Sequence, residues 1–400
     1  MTAQSQHRKK LLLVHHDSSS VGGGANDDFV RILKHLHNTK KYEMYGVFPE
    51  GGRVNEYSEY CSHVFHYTKV FFPVTFVNIF HYYGFFKLYF KNRKEFRNIL
   101  DFTHYDLALI NVSVLVWPAL FIKNRGIKEV FFIREVIKPL LFKKIIYNVL
   151  KKSGSFFFTV SENMKKNFVQ ITGAQNVRTI NSALEKDIEE KVVENDELDS
   201  ILTRYKINLE KFHSGKNLIC IASINDNKNQ ILIINALGAL KAANGTNIPN
   251  LFLAGDFKTD EEYFNKLTDA VKEFDLKDKV FFLGHLDKVT LYKLLSRMDS
   301  LIISSKSEGL PLVLVEALKF KIPVIATPVG GIPDILVDNC NGFVMDGTVN
   351  SLLGLLSRLD NIEMVEKISS NGYNTYKEKF NLEDNLKLVE ETIDSLINKG

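Results

Sequence analysis

An α/β chain of two Rossmann-like domains in tandem is what this sequence predicts, on three observations. Short runs that are apolar throughout alternate with segments of helical period along the whole chain. Strands buried on both faces read as continuous apolar runs, so this alternation means parallel sheets covered by helices on both sides. The length, 400 residues, suits two domains of about 150 to 200 residues each. Between the two alternating series lies a polar, acidic stretch, "EKDIEEKVVENDELDSILTRYKINLEKFHSGK". The expected organisation is a first domain over 1–185, a connection over 186–216 and a second domain over 217–375. A terminal helix within 376–400 is expected to pack back towards the first domain, and a cleft is expected between the two sheets.

In the first series, "LLLVHH" reads as a buried strand. After a Ser/Gly loop, "ANDDFVRILKHLH" places Phe29, Ile32, Leu33 and Leu36 on one face of a helix, because residues three and four apart share a face. "YEMYGVF", "DLALINV", "EVFFI", "SFFFTV" and "VRTIN" are further strands, with helical segments between them. Ser161 in "TVSENMKK" has the position and side chain of a helix N-cap. The second series supplies "NLICIAS", "NLFLAGD", "KVFFLG", "SLIISS", "PVIATP" and "GFVM" as strands. "QILIINALGAL" and "TLYKLLSRM" are helices among them, and "LEDNLKLVEETIDSLIN" is a closing amphipathic helix.

Composition bounds the function. An apolar content of 45% is ample for packed cores. Cys61, Cys220 and Cys340 are far apart and odd in number, which gives neither a disulfide framework nor metal-ligand spacing and suits a reducing compartment. The run of four apolar residues before His15 is too short for a signal peptide. The longest uncharged stretch, Leu107 to Ile122, spans 16 residues with Asn111 and Pro118 inside it, short of the roughly 20 that cross a bilayer. The cytoplasm is therefore the expected location, with peripheral attachment to the cytoplasmic face of a membrane left open. Residues 1–180 hold 26 Lys/Arg against 13 Asp/Glu, whereas 181–400 hold 25 against 34. A basic half beside an acidic half points the first half towards an anionic partner.

Ligands of open parallel sheets bind where strand carboxyl ends lead into helix N-termini. In "SLIISSKSEGLPLVLVEALK", Glu308 lies in the loop after a strand, Pro311 in the first turn of a helix, and Glu316 about a turn and a half further on. A carboxylate among Leu and Val is costly to bury unless something hydrogen-bonds it. The vicinal hydroxyls of a sugar or ribose suit both acids. The alternative is a glutamate at a helix dipole and a buried glutamate paired with a lysine. In "ATPVGG", Gly330 and Gly331 allow backbone N–H groups to approach a phosphate or sugar, or form a plain turn. Lys228, in "IASINDNKNQ", stands in a strand-to-helix loop where a cation can face a diphosphate leaving group. The "SVGGG" loop with Gly22, Gly23 and Gly24 does not satisfy G-x-G-x-x-G, because the third position falls on Asp27; a nicotinamide dinucleotide is thereby disfavoured. Arg134 and Glu135 end a strand, either towards the cleft or as a local ion pair. No histidine pair has metal-ligand spacing, and no Asp-x-Asp, P-loop or G-x-S-x-G occurs. No metal and no cofactor is expected.

Taken together, these motifs resemble the retaining GT-B glycosyltransferases of family 4. "EGLPLVLVE" matches that family's Glu, seven residues, Glu signature, within "FFLGHLDKVTLYKLLSRMDSLIISSKSEGLPLVLVEALKFKIPVIATPVGGIPDIL" in the family's order. The likeness covers about 217–345 and is looser over 1–180. It implies that Glu308 meets the donor sugar and Glu316 the ribose hydroxyls of a nucleotide. Lys228 would neutralise the diphosphate with N–H groups near Gly309 and Leu310. Gly284, His285 and Leu286 would line the base pocket, Thr327 to Gly331 would border sugar and phosphates, and the Gly22–Gly24 loop would close over them. Three positions depart from the pattern. Ala222-Ser223 replaces a common Gly-Arg, so Ser223 stands where a second diphosphate cation is expected and Arg134 becomes a substitute. Asp334 replaces a common glutamate. Arg134-Glu135 replaces a strand-end histidine.

The resemblance implies transfer of a hexosyl or N-acetylhexosaminyl unit from a nucleotide-diphosphate sugar to a glycan or lipid-linked acceptor, in cell-surface polysaccharide synthesis such as capsule, O-antigen or lipopolysaccharide. A non-catalytic GT-B-like binding subunit and another GT-B enzyme, such as a nucleotide-sugar epimerase, are the alternatives. Segments 70–97, where aromatics interleave with Lys and Arg, and 138–152, a basic amphipathic stretch, read as a surface for anionic membrane or as aromatic core. Nucleic acid is not an expected partner, since the second half is acidic and no recognition motif occurs.

Overall fold

Apolar runs set the strands of two separate parallel sheets. The computed structural model describes residues 8–15, 24–51, 54–67, 92–111, 115–134, 137, 140–182, 184, 198–205, 207–243, 247–258 and 260–398. The chain divides into two units, Met1–Ser182 with Leu382–Gly400, and Ala183–Asn381.

The first unit contains β1 (Lys9–His15), β2 (Tyr42–Pro49), β3 (His63–Tyr67), β4 (Leu107–Asn111), β5 (Lys128–Ile133), β6 (Phe156–Thr159) and β7 (Val177–Thr179). They pair in parallel in the order β3-β2-β1-β4-β5-β6-β7. Leu11, Leu13, Leu107, Leu109, Val130 and Phe132 face a core completed by Phe29, Ile32, Leu33 and Leu36 of helix Gly24–Asn38. The expected face of that helix is the buried one. Ser161 caps helix Glu162–Thr172, its side chain accepting the N–H of Met164 at 3.2 Å. Strand β3 was not expected. Its sequence, HVFHY, sets two histidines among apolar residues, and it is an edge strand in which only Tyr67 is buried, so it lacks the continuous apolar run of a central strand.

Helix Leu382–Asn398 is also part of the first unit and adds Val389 and Ile393 to its core. The Lys41 ammonium lies 2.7 Å from Glu390, and the Tyr42 hydroxyl donates to Asp394 at 2.6 Å. Burial, reinforced by Asp394, pushes the Tyr42 phenol upward, so it stays a neutral donor.

The second unit contains β8 (Asn217–Ile221), β9 (Asn250–Ala254), β10 (Val280–Gly284), β11 (Ser300–Ile303), β12 (Val324–Ala326) and β13 (Phe343–Val344). All pair in parallel, in the order β10-β9-β8-β11-β12-β13. Leu218, Leu251, Ile302, Ile325 and Phe343 pack against Ile233, Ala236 and Leu237 of helix Ile231–Ala242 and Leu267 of helix Glu261–Glu273. Residues 198–204 and 209–214, inside the polar stretch expected as a connection, are helical and belong to this unit. Among the described residues, no helix is long and apolar enough to cross a membrane.

Candidate functional site

In the second sheet the strand order reverses between β8 and β11, and a doubly wound sheet binds ligands at the carboxyl ends of such a pair. The loop after β8 carries Lys228 and the loop after β11 carries Glu308. Hydrogen bonds to backbone carbonyls tie the two loops together. The N–H of Lys306 donates to the Asn227 carbonyl at 2.8 Å, and Asn227 Nδ2 donates to the Ser307 carbonyl at 2.9 Å. The Lys306 ammonium lies 2.7 Å from each oxygen of Asp226.

This cross-bracing brings Lys228 Nζ within 2.5 Å of Glu308 Oε1. Ser305 Oγ donates to the same oxygen at 2.6 Å, and Ser304 Oγ donates to the Lys228 carbonyl at 2.8 Å. The Lys228 side chain is 24% exposed and that of Glu308 11%, so a solute can reach both. A half-exposed ammonium with three donors can hold a phosphate, and the neighbouring carboxylate can accept from hydroxyls.

Pro311 directly precedes helix Leu312–Lys319, one place before the first-turn position expected for it. Its carbonyl accepts the N–H of Leu314 at 3.1 Å, so it acts as the N-cap. Glu316 lies on this helix and is only 4% exposed. Its Oε1 accepts from the Tyr292 hydroxyl at 2.9 Å. Tyr292 lies on helix Lys288–Leu295, where nothing local in the sequence marks it beyond its helical period.

The loop after β12 closes on Glu308. Thr327 Oγ1 donates to the Ser305 carbonyl at 2.6 Å, and the Gly331 N–H to the Gly309 carbonyl at 2.5 Å. Gly330 has φ +62°, and a Cβ there would lie 1.8 Å from the Glu308 carbonyl oxygen, a position only glycine can occupy. Leu310 is buried. Gly284 ends β10, with His285 exposed and Leu286 buried beyond it. Two further residues here carry no local mark in the sequence. Gly255, φ +154°, would put a Cβ 1.9 Å from the Ala222 carbonyl oxygen. Gln230, fully buried, donates to the Ser223 carbonyl at 3.1 Å. The Ala222-Ser223 turn is thus held by its neighbours.

The first unit has a buried polar network at its own switch point, β1 beside β4, where His15 and Asn111 are register partners. Asn111 Nδ2 and His15 Nδ1 are 2.9 Å apart, and His15 Nε2 lies 3.0 Å from Asn26 Oδ1. Arg134 donates from Nε to Asn111 Oδ1 at 2.9 Å and from Nη1 to Asp28 Oδ2 at 2.7 Å. Asp28 also takes Arg31 at 2.8 Å and the Ser182 hydroxyl. Arg134 is therefore in an ion pair, but with Asp28 from the first helix. Asn26, Asp28 and Asn111 were not singled out in the sequence, since nothing local marks residues whose partners are far along the chain.

Direct contacts therefore join Lys228, Glu308, Gly309, Thr327, Gly330 and Gly331, whereas Glu316 is joined to Tyr292 and Arg134 to the first unit's network. Gly24 opens helix Gly24–Asn38. Gly22, Gly23, Glu135 and most of segment 70–97 lie outside the described residues.

Residues 203–375 match the sequence model of the family described as glycosyl transferases group 1. Over 83 residues the chain is 35% identical to N-acetyl-alpha-D-glucosaminyl L-malate synthase of Bacillus anthracis, which covers 21% of each chain. Over 173 residues it is 25% identical to the amylovoran biosynthesis glycosyltransferase AmsK of Erwinia amylovora, 40% of this chain and 41% of that one. The match thus spans between about a fifth and two fifths of these relatives. Among solved structures, Anabaena HepE in complex with UDP and glucose is similar with a TM-score of 0.77 at 18% identity, over 97% of this chain and 100% of that one. The fold is that of the GT-B glycosyltransferases, and within the second unit residues 203–375 resemble the glycosyl transferases group 1 model.

Proposed function

We propose that the protein is a retaining glycosyltransferase that moves a hexosyl or N-acetylhexosaminyl unit from a nucleotide-diphosphate sugar to a hydroxyl of a glycan or lipid-linked acceptor. The observation that carries this reading is the Lys228–Glu308 pair at the switch point of the second sheet, partly exposed and closed over by the Gly330 loop. The family match over this unit, the amylovoran biosynthesis relative and the UDP and glucose named for HepE support it, and we propose cell-surface polysaccharide synthesis as its setting.

In this reading the bond between sugar C1 and the diphosphate oxygen breaks, and its electron pair leaves with the nucleoside diphosphate. Lys228 meets the charge that develops there, which is the main catalytic effect. The acceptor oxygen bonds to C1 on the face the diphosphate leaves, and its proton passes to a departing phosphate oxygen. Glu308 contacts the sugar and Glu316, held by Tyr292, accepts from the ribose hydroxyls. Gly284, His285 and Leu286 line the base, and Ser223 and Thr327 border the phosphates and sugar. The reaction as proposed needs no metal, and activity is expected to persist in excess chelator.

The first unit is proposed to take the acceptor beside an anionic membrane. Helix Leu140–Ser153 contains no acidic residue, and it exposes Leu140, Leu141 and Ile145 together with Lys144, Lys151 and Lys152. Such a face suits insertion of apolar residues between acyl chains with lysines at the phosphates. Binding to vesicles containing phosphatidylglycerol, but not to pure phosphatidylcholine, is expected.

The test of the site is a thermal-shift panel of UDP, GDP, ADP and dTDP sugars, followed by transfer assays with the donor that stabilises. One nucleotide should raise the Tm, because binding to the native state stabilises it. Stabilisation without transfer to any acceptor fraction would favour the binding-subunit alternative, and no stabilisation by any nucleotide would remove the proposal.

A further inference from the structure

We propose that Ser305 is a positioning residue for the reaction, its hydroxyl holding Oε1 of Glu308 so that Oε2 stays turned to the ligand when Lys228 moves to the diphosphate. The inference rests on the reading of the Lys228–Glu308 site given above.

Two donors converge on Glu308 Oε1, the Lys228 ammonium at 2.5 Å and the Ser305 hydroxyl at 2.6 Å. Among the described residues no donor reaches Oε2. The two donors differ in mobility. Lys228 carries a flexible four-carbon stem and is 24% exposed, and its charge is better matched by a diphosphate than by one carboxylate oxygen. Ser305 is 3% exposed, lies two residues beyond β11, and has its carbonyl fixed by Thr327 Oγ1 at 2.6 Å. Ser304, its neighbour, holds the Lys228 carbonyl at 2.8 Å, so the lysine can change partner while its backbone stays in place. When the ammonium leaves, the serine is the donor that remains. A charge-assisted hydrogen bond of that length fixes the direction of a carboxylate. Thr327 then supports Ser305, which links the loop after β12 to the orientation of Glu308.

The test compares wild type with Ser305→Ala and Ser305→Thr for kcat, for affinity to the matching nucleoside diphosphate, and for Tm. Ser305→Ala is expected to lower kcat about 10- to 100-fold while nucleoside diphosphate affinity and Tm stay near wild type, because the diphosphate does not depend on Glu308. Ser305→Thr, which keeps the hydroxyl, is expected to recover most of the loss. A kcat within twofold of wild type in Ser305→Ala overturns the proposal. So does a parallel loss of Tm and nucleotide affinity, or an equal loss in Ser305→Thr at unchanged Tm. Wild type that neither binds nucleotides nor transfers sugar sinks the underlying site reading instead.

Discussion

Lys228 and Glu308, eighty positions apart in the chain, meet at 2.5 Å between the loops after β8 and β11. Their ion pair is partly open to solvent and adds little to stability, of order 1 kcal/mol or less. In the proposed reaction its value lies in placing a cation where negative charge would develop. Lys228→Ala should therefore leave Tm within a few degrees of wild type and lower kcat/KM for transfer by about 100- to 1,000-fold. Steady-state kinetics beside a melting curve separate the two effects.

Gly330 should tolerate no side chain. Its φ of +62° is disfavoured for other residues, and an added Cβ meets the Glu308 carbonyl oxygen at 1.8 Å. The backbone conformation alone costs roughly 1–2 kcal/mol for alanine, and relief of the clash must displace the Glu308–Gly309 peptide. Gly330→Ala is expected to lower both Tm and donor affinity. An alanine variant with wild-type affinity would show that the loop is not part of the site.

Asp28 is the shared counter-charge of Arg134 and Arg31, all three buried. Asp28→Asn keeps the size and leaves two buried guanidinium groups without it. Breaking a buried ion pair from one side costs about 3–5 kcal/mol. In a unit of this size that is on the order of a 10 °C loss in Tm, readable by circular dichroism. Arg134→Lys should also destabilise, since an ammonium cannot reach Asn111 and Asp28 in one plane.

Glu129, on β5, is fully buried, and among the described residues no side chain donates to its carboxylate. Burial, only partly offset by Lys123, pushes its carboxyl up to about 9. The folded state therefore keeps the proton that the unfolded chain loses near pH 4.5, the ordinary value. Between those values the unfolded state binds fewer protons, so stability falls as pH rises, by at most about 1.4 kcal/mol per pH unit. Glu129→Gln removes this slope. It should raise Tm at pH 8 clearly more than at pH 5, in paired melting curves.

The sheets were legible because their strands are apolar on both faces, as in "LLLVHH" and "NLICIAS". The edge strand β3 was not, since HVFHY carries two exposed histidines and buries only Tyr67. Lys228 and Glu308 could be picked out because each follows an obvious strand. The partners of Glu316 and Arg134 could not. Tyr292 lies 24 positions from Glu316, and Asp28 lies 106 from Arg134. Such pairs are fixed by sheet order, and the local pattern around a tyrosine in a helix or an aspartate in a first turn is the same with or without a distant partner. Gly255 likewise reads as an ordinary turn until the fold sets it against the Ala222 carbonyl.

The most direct test of the account is a calorimetric titration of wild type and Lys228→Ala with the nucleoside diphosphate that stabilises the protein. The account predicts saturable binding by wild type and an affinity at least tenfold weaker in Lys228→Ala, about 1.4 kcal/mol, at unchanged Tm without ligand. Equal affinities would place the diphosphate away from the Lys228–Glu308 pair and contradict the account.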